Sequence, residues 1–316
     1  MRIAITGGTG FVGGHLAEAL SRRGHEAVVL SRGVDKRPWA QQVLQLPGVS
    51  FFQVGTGDED GLAQAFQGCD AVAHCAGINR EIGHQTYDAV HVQGTANVVR
   101  AAERAGVRRI ALLSFLRARP DCGSPYHESK WAAEELVRAS GLEWTVLKPG
   151  MIFGRGDHML DHLSHALYTF PLFLGIGQSR VRPLAVEDVV DVLVAALVDG
   201  RLPRQTVGLV GPTEIGFDDA ARRVARIMGV RRPFLRAPRA FHRLLAMVAE
   251  TVMTVPLISK AQVRILKEEV VEAVGAPDAL PEDLVPATAF DEASIRRGLP
   301  APGPFRTTDL RCCLQA

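Results

Sequence analysis

Residues 1–24 read MRIAITGGTGFVGGHLAEALSRRG, and the reading of this stretch decides the fold. Arg2 to Thr6 is a short apolar run of the kind that forms a buried strand. It leads directly into Gly7, Gly10 and Gly13, spaced G-x-x-G-x-x-G, after which Val12, Leu16, Ala19 and Leu20 recur at helical spacing. Gly24 stands where a helix C-terminus favours a residue free to take positive φ. A strand, a glycine turn and a helix in that order form a dinucleotide-binding fingerprint. A side chain at the glycines would hold a pyrophosphate away from the backbone N–H groups. The helix N-terminus offers that pyrophosphate unpaired donors and a partial positive charge.

Working outward, the same alternation repeats. Short apolar runs at Ala27–Leu30, Val49–Val54, Ala71–His74, Arg109–Ser114 and Glu143–Lys148 predict strands. Helical patterns fall between them: Asp58 capping a helix through Phe66, Thr86–Ala105 closed by Gly106, and Tyr126–Ser140 closed by Gly141. This order predicts an α/β fold, a Rossmann-type doubly wound parallel sheet with helices on both faces. Ligands on such sheets sit at the carboxyl ends of the strands, which gathers Gly10, Arg32, Gly77, Ser114 and Pro149 around one crevice. From Met151 the alternation weakens. Gly154–Arg182 reads as a lid or pocket loop, Pro183–Leu197 as an extended piece and a helix, Gln205–Val210 as a strand, and Phe217–Met228 as a helix. Pro233–Ala276 reads as mostly helical and the last forty residues as loop-like. The expected division is residues 1–150 for the nucleotide-binding domain and 151–316 for a smaller, mainly helical substrate or lid region interleaved with it.

Composition excludes several classes of function. A chain of 316 residues that is 47% hydrophobic and 22% charged suits a globular protein with a sizeable core. Its net charge of +2 gives no broad basic field for nucleic acid. The five cysteines, Cys69, Cys75, Cys122, Cys312 and Cys313, form no C-x-x-C pair, which points to reduced thiols and a cytoplasmic setting. No apolar run approaches the roughly 20 residues of a membrane span. The nearest, Leu244–Ile258, is broken by Glu250 and Pro256. No metal site is expected: His158, His162 and His165 fall on one face of an amphipathic stretch beside only Asp157 and Asp161.

A second motif is Tyr126-His127-Glu128-Ser129-Lys130. Residues four apart share a helix face, so the phenol and the ammonium point the same way. Tyrosine titrates at about 10, and a neighbouring cation would bring its phenolate within working range for proton transfer. The lysine can also hold a nicotinamide ribose. Cofactor choice is read at the end of the second strand, where Ser31 and Arg32 stand in place of the carboxylate usual for NAD, and Lys36 and Arg37 follow. A guanidinium and a hydroxyl suit a 2′-phosphate. NADP(H) is therefore favoured, with NAD(H) left open.

These pieces carry a resemblance. TGGTGFVGGHL (6–16), DAVAHCAG (70–77), RAAERAGVRRIALLS (100–114), SPYHESKWAAEELVRASGLEWTVLKPGMIFGRGD (124–157) and RPLAVEDVVDVLVAAL (182–197) together resemble the extended short-chain dehydrogenase/reductase superfamily, in its epimerase/dehydratase branch. The likeness covers roughly residues 1–230. Within the superfamily the chain is similar to the atypical group of the nucleotide-binding accessory subunit of respiratory complex I, a placement supported by VPLISKAQVRILKEEVVE (255–272). The resemblance implies a pyrophosphate loop at Gly7, Gly10 and Gly13 with Phe11 and Val12 as backbone donors. It implies Cys75, Ala76 and Gly77 beside the ribose and nicotinamide, Tyr126 and Lys130 as the catalytic pair, and Pro149, Met151 and Ile152 along the nicotinamide. It also implies pairing of two chains through the helices at 86–105 and 126–140.

Two positions depart from the family pattern. Where relatives carry an acidic residue for adenine, this chain has Gly55, which leaves Asp58 as a helix cap. Where epimerases place a run of Ser or Thr, it has Ser114-Phe115-Leu116, so Ser114 reads either as the catalytic serine or as a strand-end cap. Arg155, Arg180 and Arg182 read either as facing an anionic substrate or as pairing with Glu187 or Asp191. Three functions follow as alternatives. One is NADP(H)-dependent hydride transfer or epimerisation at a hydroxyl or carbonyl carbon of a small molecule. The others are a non-catalytic nucleotide-binding subunit or assembly factor associated with a complex or a membrane surface, and a redox-sensing regulator.

Overall fold

The structure is a computed structural model that describes residues 1–33, 38–175, 179–237, 241, 247 and 268–304. In chain order the first half runs β1 (Arg2–Thr6), α1 (Phe11–Arg22), β2 (Glu26–Ser31), α2 (Pro38–Val43), β3 (Val49–Gln53), α3 (Glu59–Ala65), β4 (Ala71–His74), α4 (Gly94–Arg104), β5 (Arg109–Leu113), α5 (Pro125–Arg138) and β6 (Glu143–Pro149). The second half adds β7 (Ile152–Phe153), α6 (His158–Thr169), β8 (Phe173–Gly175), β9 (Arg180–Val181), β10 (Leu184–Ala185), α7 (Val186–Leu197), β11 (Gln205–Leu209), β12 (Ile215–Gly216), α8 (Phe217–Ile227), β13 (Phe234–Arg236) and α9 (Glu292–Gly298).

Seven strands form one parallel sheet in the order β11-β6-β5-β4-β1-β2-β3. Its central strands are continuous apolar runs because both faces are covered; β4 is buried along its whole length. Helices α3, α4 and α5 pack together on one face, and α1 lies against α7 on the other. Under α3 and α4 sits a core built from Leu62, Phe66, Val72, Val98, Ile110, Leu112 and Val146.

The chain divides into two compact units. The first holds Met1–Gly150, Val186–Leu209 and Glu272–Pro286; the second holds Met151–Ala185, Val210–Val271 and Ala287–Ala316. The sequence places the change at residue 150 but not the return of α7 and β11 to the first unit. That return has a packing cause. Strand β11 extends the sheet by pairing with β6, and nine of the twelve residues of α7 are buried. In the second unit the core is built on Phe153, Leu160, Leu163, Leu167, Val224, Phe290 and Ile295, with the rings of Phe153 and Phe290 edge to face at 4.9 Å.

Other differences are local. The continuous helix expected over Thr86–Ala105 opens with a π-helical turn at Asp88–Gln93, a wider turn that turns His91 into the interior. The lid loop contains a full helix, α6, started by Asp157, whose carboxylate accepts from the Leu160 N–H at 2.6 Å. Part of the loop-like tail is α9, begun in the same way by Asp291. Asp58 does cap α3, accepting from the Gly61 N–H at 2.9 Å. Of the helical segment expected over 233–276, only β13 and the non-helical 268–276 are described in any length. Leu244–Ile258 lies outside the described residues apart from Met247. No described helix is long and apolar enough to cross a membrane.

Phe66 is fully buried in the core under α3 and α4. Phe66→Ala should cost about 3–5 kcal/mol, read as a lower urea midpoint with little change in slope.

Candidate active site

The glycine turn folds as a cradle. Gly7 takes φ +69°, which a side chain would strain, and a Cβ there would meet the Ala76 backbone at 2.9 Å. At Gly13 a Cβ would come within 2.5 Å of the Gly7 carbonyl oxygen. Gly10 precedes α1 and supplies no side-chain cap, so the N–H groups of Phe11, Val12 and Gly13 keep no capping oxygen. Bare backbone donors at the start of a twelve-residue helix fit a diphosphate. The Cys75 N–H donates to the Thr6 carbonyl at 3.1 Å, tying the loop after β4 to the cradle.

Helix α5 faces the same strand ends. Lys130 is buried, and its Nζ donates to the Leu113 carbonyl at 3.2 Å. A Cβ on Gly77 would lie 3.0 Å from that Nζ, so any larger residue there would crowd the ammonium. Burial brings the Lys130 amine down to about 8, against the opposing pull of Cys75 and Glu134. Cys75 is pushed up to about 12, again by burial. It is an inert thiol beside the cradle.

Tyr126 is buried among four rings: Tyr87 at 5.6 Å, His91 at 5.8 Å, Phe115 at 5.5 Å and His127 at 5.7 Å. Helix spacing predicts a phenol shifted downward by the nearby cation. The structure gives the opposite direction. Burial raises the Tyr126 phenol and Tyr87 adds to the rise, while Lys130 Nζ donates to the Leu113 carbonyl. Ser114 is placed at the end of β5 as expected, but its hydroxyl donates to Glu134 Oε1 rather than toward Tyr126. Of the two readings of Ser114, the strand-end tie matches this geometry.

Behind the pair lies a layer that the sequence reading missed. Glu134 has no exposure; besides Ser114 it receives Arg138 at 2.8 Å and Lys148 Nζ at 3.3 Å. Lys148 also donates to the Ala118 carbonyl at 2.9 Å. Tyr126, Lys130, Glu134 and Arg138 are spaced by four along one helix face. A lysine inside the strand run EWTVLKP demands a buried partner. Those two signals were legible, since a charge in such a strand needs a carboxylate and α5 supplies one.

Two histidines complete the layer, and their partners fix their tautomers. His91 Nε2 accepts from the Ile78 N–H at 3.0 Å, so its proton sits on Nδ1 and goes to Ser129 Oγ at 2.9 Å. Ser129 in turn donates to the Tyr126 carbonyl. The Thr95 hydroxyl donates to the His91 carbonyl, so it accepts from His74 Nε2 at 2.9 Å; Thr6 then donates to His74 Nδ1 at 2.6 Å. Burial, with Lys130 adding, lowers His74 to about 3 and His91 to about 2. Both are neutral at physiological pH.

At the far end of the cradle, Arg32 is exposed and makes no ion pair among the described residues. Its stem lies over Gly55, where a Cβ would approach Cγ to 2.9 Å. Ser31 donates its hydroxyl to the Gly33 carbonyl. Asp35, Lys36 and Arg37 lie outside the described residues, as do Cys312 and Cys313. Pro149 ends β6, while Met151 and Ile152 begin the second unit. Arg180 pairs with Glu214 and Glu269, and Asp191 pairs with Arg23, so the pairings expected with Glu187 and Asp191 do not form for Arg180. The histidines at 158, 162 and 165 lie on α6, and no metal-holding cluster occurs among the described residues.

The fold and the cradle define a dinucleotide-binding protein of the extended short-chain dehydrogenase/reductase superfamily, and comparison with known proteins agrees. The chain belongs to the NAD(P)H-binding family, whose model matches residues 7–164. It is 31% identical to the ceramide reductase of Caulobacter vibrioides, across 75% of this chain and 73% of that protein. Identity to the Arabidopsis thaliana mitochondrial NADH dehydrogenase [ubiquinone] 1 alpha subcomplex subunit 9 is 29%, over 66% of this chain and 53% of that one. Among solved structures, UDP-glucuronic acid 4-epimerase from Bacillus cereus with UDP-glucuronic acid and NAD superposes with a TM-score of 0.68. That likeness has 17% identity and covers 94% of this chain and 97% of the epimerase. The chain spans 27% of the length of the Mycobacterium tuberculosis relative that it matches at 29% identity.

The neutral histidines set a pH dependence. Each binds a proton readily when unfolded, at about 6.5, and only near 3 or 2 when folded, so each withdraws stability as pH falls from 6.5 toward 3. Asp157, raised by burial to about 7, opposes them as a single group. Removing one histidine isolates its share. In urea titrations the stability of the parent relative to His91→Gln should fall by about 1.4 kcal/mol per pH unit across that window.

Proposed function

We propose that the protein is an NADP(H)-dependent oxidoreductase of the short-chain dehydrogenase/reductase type, acting on a carbonyl or hydroxyl carbon of a small molecule. The observation that carries the reading is a buried, protonated phenol on the same helix face as a buried lysine, opposite a bare-backbone cradle. The bound dinucleotide would supply or accept the hydride. Tyr126 would give its proton to the carbonyl oxygen as negative charge develops there. At neutral pH the phenol carries the proton that reduction requires, and its raised range makes release of that proton the demanding part of the step. Lys130, protonated below about 8, would hold the ribose hydroxyls. Glu134 and His91 act through α5 and the loop after β4, and touch neither substrate nor cofactor.

Preference for NADP(H) rests on Arg32. Its guanidinium makes no ion pair among the described residues at the end of β2, where a carboxylate would otherwise select NAD(H). The relation to a reductase and to NAD-bound epimerases supports dinucleotide chemistry in general. A second reading, a nucleotide-binding subunit without turnover, draws on Ser114. Its proton is engaged by Glu134, leaving Tyr126 without a hydroxyl neighbour on that strand end. The mitochondrial relative is compatible with it.

Two measurements test the proposal. Fluorescence titration should give tighter binding of NADPH than NADH, and Arg32→Ala should remove the difference. Equal affinities in the parent protein would reverse the cofactor assignment. With a panel of aldehydes and ketones, Tyr126→Phe should lower NADPH oxidation by about 10²–10⁴-fold while leaving cofactor affinity within a factor of two or so. Absence of turnover in the parent, with dinucleotide binding intact, selects the second reading. If neither dinucleotide binds, both readings fail.

A further inference from the structure

The second unit carries a feature that the dinucleotide chemistry does not use. Between residues 220 and 249 the sequence has eight arginines and not one of the chain's 34 Asp and Glu, although the whole chain is nearly neutral at +2. Helix α8 buries Ala220, Ala221, Val224 and Ala225, and carries Arg222 and Arg226 one turn apart. Gly229, at φ +71°, turns the chain back, so that Arg231, Arg232 and Phe234 fold against the end of the helix. Together they line a shallow, open basin of about 620 Å³, with Arg222, Arg226, Arg231, Arg232 and Phe234 in its wall.

The four guanidiniums divide by how they are held. Arg222 is fixed by Asp219 at 2.7 Å and lies over the Phe234 ring at 5.2 Å. Arg232 donates to the Leu167 carbonyl at 3.0 Å, which spends one edge of its fork on the C-terminal end of α6. Arg226 and Arg231 are exposed and make no hydrogen bond or ion pair among the described residues. Two anchored cations and two unspent ones thus surround one concavity. Like charges so placed repel unless an anion lies between them, and planar forks match the oxygens of a phosphate. The wall is apolar where Phe234 stands, and Leu172 and Leu235 beside it are exposed at 36% and 52%.

We propose that this basin binds a phosphate group, either free or carried on a lipid head group. Arg222 and Arg232 form its fixed floor and Arg226 and Arg231 close on the ligand. The apolar rim is what makes the lipid source worth separating from the soluble one. The proposal does not depend on the redox reading, since every residue in it belongs to the second unit.

The test uses the full chain, its Arg226→Ser and Arg231→Ser variants, the double variant, and Arg22→Ser as a control at an exposed arginine elsewhere. Calorimetric titration with inorganic phosphate reads the soluble source. Co-flotation with phosphatidylcholine vesicles, with and without phosphatidic acid, reads the lipid source. Each basin substitution should weaken binding roughly tenfold without lowering the melting temperature, because both side chains are exposed. Binding of phosphate alone assigns a soluble ligand, and binding only to vesicles that contain phosphatidic acid assigns a head group. Three results overturn the proposal: saturable binding to neither probe, binding that survives in the double variant, or an equal loss in Arg22→Ser.

Discussion

A carboxylate with no access to water holds the working end of this molecule together. Glu134 lies inside the first unit, and such a charge is tolerable only when its lone pairs are filled. Ser114, Arg138 and Lys148 fill them, and each comes from a different place: the end of β5, the next turn of α5, and the interior of β6. Lys148 then reaches the Ala118 carbonyl, so the loop leaving β5 is tied to the same point. One buried ion cluster thereby fixes how α5 sits over two strand ends.

That seating determines the chemistry one turn away. Lys130, four residues before Glu134, is held by the Leu113 carbonyl under Gly77, and Tyr126, four before that, is pressed among aromatic rings. Dehydration works on the two groups in the same sense, favouring the neutral form of each. It brings the amine down and pushes the phenol up. The pair is therefore less polarised than a tyrosine–lysine motif suggests when read along a helix. The His74–Thr95–His91–Ser129 chain extends the rigidity to the loop after β4. Its members are locked by donors and acceptors that leave no tautomeric freedom.

The two units bear different electrostatic designs. In the first, the charges behind the strand ends, Glu134, Lys148 and Lys130, are buried and hydrogen-bonded, and the start of α1 offers backbone amides without a side-chain cap. In the second, arginines outnumber their partners around the end of α8. Backbone amides grip a diphosphate through shape, with glycine supplying the clearance. Unspent guanidiniums grip an anion through charge and planarity. Both devices suit phosphate oxygens, and they lie in separate units of the chain.

Much of the fold was written into local sequence. The apolar runs at 2–6, 71–74 and 109–113, the glycines at 7, 10 and 13, and the caps at Asp58 and Gly24 act through backbone conformation and nearest neighbours. Those effects reach only a few residues along the chain, so they can be read in order. Tyr126 and Lys130 belong to the same class, being one helical turn apart. What the sequence left undecided depends on groups distant in the chain. The return of β11 to the edge of the sheet, the turning of His91 inward by a π turn, and the engagement of Ser114 by Glu134 are of this kind. The Tyr126 phenol belongs with them in a different way: helix spacing alone predicts a downward shift, and enclosure reverses it. Each is settled by what surrounds a residue once the chain has closed, and desolvation and pairing are properties of that enclosure.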